Sequence, residues 1–143
     1  MTLPWQTKLI MDVTSVAAGI NISKVFEPAP FAATVAKVEF VPNLSQAHAT
    51  AVAATLRTYV LYNRGTDGAG TPAVANGRIT SVAASQNAFN TGLEANRAST
   101  LVLTTTALLT LAAGDVLEWE SSESGGTGLR DVGGRVVVTL SRI

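Results

Sequence analysis

The sequence predicts an all-β fold, a two-sheet sandwich of about eight antiparallel strands. Three observations predict it. Short runs of β-branched and aromatic residues alternate with polar ones at period two, and each run is bounded by Gly, Pro or Asn. No stretch carries a sustained helical period. Ala, Val, Thr, Ser, Gly and Leu dominate, with charged residues at only 14 % against about 25 % in an ordinary soluble domain.

The elements follow in order. Met1–Thr7 (MTLPWQT) carries Pro4 and two large apolar groups, Leu3 and Trp5, and reads as an N-terminal arm ahead of one domain over 8–143. Those groups either pack on their own sandwich or dock on a neighbour, since Trp is enriched at interface hot spots. Lys8–Val16 is the first strand and Asn21–Glu27 the second, ended by Pro28 and Pro30. Thr34–Val41 is the cleanest alternation, with Ala36, Val38 and Phe40 on one face and Lys37 and Glu39 on the other. Leu44–Ala54 is either a short Ala-rich helix capped by Ser45 or a long loop.

Thr55–Asn63 has apolar residues on both faces and belongs at a covered, central position. Arg64–Gly77 reads as a Gly-rich connection whose Asn76-Gly77 is a turn signal, followed by a strand at Arg78–Ala84. Ser85–Ala98 is a polar loop anchored by Phe89 and Leu93, and Ser99–Thr106 is a Thr-rich strand. Leu111–Ile143 closes the chain as two strands joined by a Gly-rich stretch, a last hairpin. Leu117, Trp119, Val136, Val138 and Leu140 should line the core, with Val137 and Ile143 left free to meet neighbours. Eight strands with turn punctuation point to a jelly roll.

Catalytic chemistry is hard to assemble from these residues. The single histidine, His48, cannot supply a multi-histidine metal site, and no nucleophile-elbow pattern lies beside it. With no cysteine, thiolate sites and disulfides are impossible. Glu118 and Glu120 share a strand face, as glycosidase carboxylates do, but they read better as the wet side of an amphipathic strand. The Gly-rich Arg64–Gly70 lacks the lysine of a phosphate loop, and Asp67 begins no calcium-loop pattern. The expectation is no enzyme and no cofactor. Ten basic and ten acidic residues cancel without a basic stripe, so no nucleic-acid partner is expected. No apolar run approaches the roughly 20 residues of a membrane span.

Several stretches together carry a resemblance. Pro30–Val35 leads into a strand; Tyr59–Gly70 (YVLYNRGTDGAG) runs from a strand into a Gly/Asp turn; Ala113-Gly114-Asp115-Val116-Leu117 opens another; Gly126–Leu129 follows, and Gly133–Thr139 (GGRVVVT) ends the series. In this order they resemble the jelly-roll head decoration, or cement, proteins of tailed bacteriophages, particularly those infecting actinobacteria, over Val25 to Ile143. The resemblance implies a homotrimer on the capsid exterior, assembled in the bacterial cytoplasm, that binds the major capsid protein and holds adjacent capsomers together. It carries over no catalytic residues. The candidate interface is Leu3, Trp5, Phe89, Leu93, Val137 and Ile143. The alternative is a receptor- or carbohydrate-binding jelly roll on the virion or tail, using the loops 64–77, 85–98 and 121–134.

Overall fold

The computed structural model describes residues 5–17, 20–45, 56–80, 93–124 and 131–143. Among the described residues ten strands form two antiparallel sheets. They are β1 (Gln6–Val13), β2 (Ile22–Val25), β3 (Ala33–Pro42), β4 (Leu56–Asn63), β5 (Ala73–Thr80), β6 (Ser99–Thr100), β7 (Val102–Leu103), β8 (Thr110–Leu111), β9 (Leu117–Ser124) and β10 (Gly134–Arg142). One sheet runs β1-β10-β3-β6, with β8 also on β3; the other runs β2-β9-β4-β5-β7.

The pairings are nested. The first strand pairs with the last, β2 with β9, β3 with β6 and β4 with β5. The nested pairs are then joined into two sheets by β10 on β3 and β9 on β4. Counting β6 to β8 as one interrupted strand gives the eight-stranded, doubly Greek-key order of a jelly roll. The expected fold class is therefore the observed one.

Several elements differ from expectation, each for a physical reason. The closing pair is not a hairpin: β9 and β10 lie in opposite sheets. Its five expected core residues are nonetheless all buried. On β3 the inward phase slips, because a bulge opposite Thr139 and Leu140 pairs Lys37 and then Val35, leaving Ala36 over. Val35, Val38 and Phe40 are buried while Ala36 is exposed.

Asn76-Gly77 is not a turn but the middle of β5. The chain has already reversed at Gly65–Gly70, where the Arg64 carbonyl accepts from Gly70 N–H at 2.9 Å. Gly77 then pairs opposite Tyr59, whose ring fills the interior. β4 is central in its sheet, between β9 and β5, and its outer face (Thr58, Val60, Tyr62) is half-buried.

The expected strand Ser99–Thr106 is broken at a corner. Leu101 N–H donates to Val38 O and Thr104 N–H to Val74 O, both at 2.9 Å, so the chain changes sheets within three residues. A 3-10 turn, Thr106–Leu109, then returns the chain to β3 at β8. Expectations for 46–55, including His48, and for 81–92, including Phe89, fall outside the described residues, as does Leu3.

Phe40 from one sheet and Tyr59 and Trp119 from the other make the centre of the core. Their ring centroids are 5.2 Å (Phe40–Tyr59), 5.5 Å (Phe40–Trp119) and 5.6 Å (Tyr59–Trp119) apart. Contacts of this geometry contribute beyond the area they bury.

Candidate interaction surfaces

No group of three or more His, Asp or Glu side chains that could hold a metal occurs among the described residues. No helix among them is long and apolar enough to cross a membrane. Glu118, on the strand face it shares with Glu120, is paired with a cation from the turn after β4. It accepts from Arg64 Nη2 at 2.8 Å, and that hydrogen bond holds its carboxyl below the usual range. Arg64 also donates to Gly70 O at 2.9 Å and lies 4.6 Å from the Tyr62 ring centroid, so it fastens the turn after β4 to β9.

Three features remain. The first is a corner where β1 begins and β10 ends. Trp5 carbonyl accepts from Arg142 N–H, so Trp5 continues the β1 ladder rather than standing off as a separate arm. Gln6 and Thr7 belong to β1, two residues before the expected start. The Trp5 ring sits 4.9 Å from Phe31, and the Arg142 guanidinium is 5.9 Å and 5.6 Å from the two rings. Yet Trp5 stays 57 % exposed and Ile143 71 %. The ring is thus positioned by its own domain and still presents most of its surface.

The second is the outer face of β1, β10 and β3. Lys8, Ile10, Asp12, Val41, Asn43, Asn96, Arg135 and Val137 line a shallow depression of about 450 Å³. Val137 is half-buried there, between Ile10 of β1 and Glu39 of β3. Arg135 Nε reaches Asp12 Oδ1 at 3.3 Å.

The third is a buried polar cluster at the end of the sandwich where β4 starts and β9 ends. Arg57 is fully buried. It donates to Ser121 Oγ at 2.9 Å and Ile20 O at 3.0 Å, and lies 3.5 Å from the Glu123 carboxylate. Asp131, also buried, accepts from Gly133 N–H at 2.9 Å. The Tyr59 hydroxyl is pushed well above its ordinary pKa by burial, with the Asp131 charge adding and Arg57 opposing. This cluster ties Ile20, just ahead of β2, to β4 and β9. Sequence reading passed over it, although Arg57 has the same strand parity as Tyr59 and Leu61 and so had to point inward with them.

Of the expected interface residues, Trp5, Val137 and Ile143 reach the surface. Leu93 does not: it is 1 % exposed, in the core. The segment that follows it is pinned at the end of β3, where Asn96 N–H donates to Pro42 O at 2.8 Å and Ala95 N–H to Ser45 Oγ at 3.0 Å. Sequence reading also missed the exposed Ile10, whose signal was an isoleucine in phase with Lys8 and Asp12.

No protein-family model and no curated protein matches the chain. Among solved structures, a chain in the "Structure of infectious bursal disease virus Gx strain" is similar at a TM-score of 0.33. It shares 15 % identity, over 97 % of this chain and 30 % of that one. The chain therefore spans under a third of that protein, and at this TM-score the likeness carries no functional argument.

Proposed function

We propose that the chain is a virion structural protein: a decoration or cement protein of a tailed-phage head. In this reading it sits as a homotrimer on the capsid exterior, binds the major capsid protein, and works by binding energy without catalysis. The resemblance over Val25 to Ile143 and the nested jelly-roll order support it. The observation that carries it is the Trp5 corner, an aromatic anchor oriented by Phe31 and Arg142 and left open beside Ile143. Such pre-organised aromatic anchors lose little entropy on binding. A low charge density of 14 % suits a surface that partners cover. Repetition over a capsid lets modest single contacts suffice.

The test is Trp5→Ala rather than removal of residues 1–7, because Gln6 and Thr7 hold the β1 ladder. Occupancy on purified undecorated heads should fall while the melting temperature changes little. Wild-type occupancy for the variant would remove the corner from the contact, and no binding by the wild-type protein would remove the capsid reading itself.

A further inference from the structure

β1 is an edge strand. Among the described residues it pairs only with β10, and nothing there covers its other edge as a strand. Arg142 N–H donates to Trp5 O, and in an antiparallel ladder alternate residues turn both backbone groups to the same side. Thr7, Leu9, Met11 and Val13 therefore address β10. Gln6, Lys8, Ile10 and Asp12 turn theirs outward, and Lys24 Nζ, bonded to Asp12 O at 2.7 Å, marks that direction.

The side chains on this edge are self-complementary. Lys8, Ile10 and Asp12 stand on one exposed face, with Ile10 56 % exposed. Let a second β1 run antiparallel with Ile10 opposite Ile10. Lys8 of each copy then falls opposite Asp12 of the other, twice, and Leu9 opposite Met11 on the inner face. Lys8, Ile10 and Asp12, three of the four outward residues, become hydrogen-bonded pairs, the Asp12 carbonyl exchanging Lys24 Nζ for the other copy's Lys8 N–H. Centring the twofold on Lys8 or Asp12 sets like charges together, and the intermediate registers set Ile10 against a charge, so the pattern selects one register.

We propose that two copies of this chain join edge to edge through β1, about a twofold axis at Ile10. The contact merges two five-stranded sheets into one of ten strands. It also brings the two Ile10–Val137 depressions side by side. The proposal does not rest on the capsid reading: copies assembled through another face would be linked in pairs by this edge.

The experiment is the solution mass of the full chain, by light scattering and sedimentation over a concentration series, with far-UV circular dichroism as the fold control. Wild type should reach an even multiple of the 14.8 kDa protomer. Ile10→Pro removes an outward N–H that β10 does not use, so the mass should halve with the spectrum unchanged. Lys8→Glu faces Asp12 with a like charge at both symmetric positions and should weaken the pairing roughly tenfold. Lys8→Glu combined with Asp12→Lys should restore it. The proposal is overturned by a wild-type mass of one or an odd number of protomers, so a lone homotrimer in solution refutes the β1 contact and leaves the capsid reading standing, whereas trimers joined through β1 would read as six protomers. It is equally overturned by an Ile10→Pro variant that keeps both fold and mass, or by a charge swap that fails to recover what Lys8→Glu lost. Should Ile10→Pro not fold, the charge swap decides.

Discussion

Replacing Arg57 by methionine tests how the buried polar cluster holds the fold. The wild-type guanidinium is fully buried, with hydrogen bonds to Ser121 Oγ and Ile20 O, and Glu123 3.5 Å away has a side chain only 3 % exposed. Methionine fills most of the volume but leaves the carboxylate in a dry site without this counter-charge. Breaking one partner of such a pair costs about 3–5 kcal/mol, much of it the stranded charge rather than the lost attraction. Removing both charges, as Arg57→Met with Glu123→Leu, should recover most of that loss, because a buried pair and a packed apolar pair differ little in net stability. Urea unfolding at neutral pH reads both. With a slope of about 2 kcal/mol per molar, the single variant's midpoint should drop by about 2 M and the double variant's by well under half of that. A double variant as unstable as the single one would refute the reasoning, and would place the cost in the lost bonds to Ser121 and Ile20 instead.

Two further outcomes follow from local geometry. Gly134→Ala should destabilise by at least about 2 kcal/mol, or about 6 °C in melting temperature, because its Cβ would lie 2.2 Å from Val41 O and 2.8 Å from Pro42 Cα at φ 152°; a shift under a third of that would mean the β3–β10 approach is looser than its hydrogen bonds require. Glu118→Gln should cost about 1 kcal/mol at neutral pH, since the two side chains of the Arg64 pair are 21 % and 18 % exposed and solvent still screens them. Arg64 lowers the folded-state pKa of Glu118, so the pair's contribution is present above the ordinary carboxylate range and lost as pH falls through the lowered value. The gap between wild type and variant should close on acidification, and a gap constant with pH would exclude the ion pair as its source.

Period two reads faces well where the ladder is regular, which is why Leu117, Trp119, Val136, Val138 and Leu140 were legible as core. It fails where a ladder gains a residue: the bulge opposite Thr139 and Leu140 inverts the parity of β3 at Ala36, and no single-strand pattern contains that information. It also cannot distinguish strands of one sheet from strands of two. β9 and β10 both alternate cleanly and both start from Gly turns, yet β9 lies between β2 and β4 and β10 between β1 and β3, an arrangement set by long-range pairing. Asn76-Gly77 shows the same limit, since a turn signal yields once the reversal has been completed upstream and the pair falls in register opposite Val60 and Tyr59.

The surfaces were harder to read than the core, and for a different reason. An apolar residue in a strand is read as inward by default, but Ile10 and Trp5 acquire their meaning from what lies beside the strand rather than along it. Trp5 is significant because Phe31 and Arg142, far from it in sequence, hold its ring while leaving it open. Ile10 is significant because β1 ends its sheet, which follows only once the first strand is known to pair with the last and with no other described strand. Lys8 and Asp12, four residues apart, look like ordinary solubilising charges on a strand. Placed on an open edge about a twofold at Ile10, the same spacing becomes a register mark, because it is the one arrangement in which each charge meets its opposite.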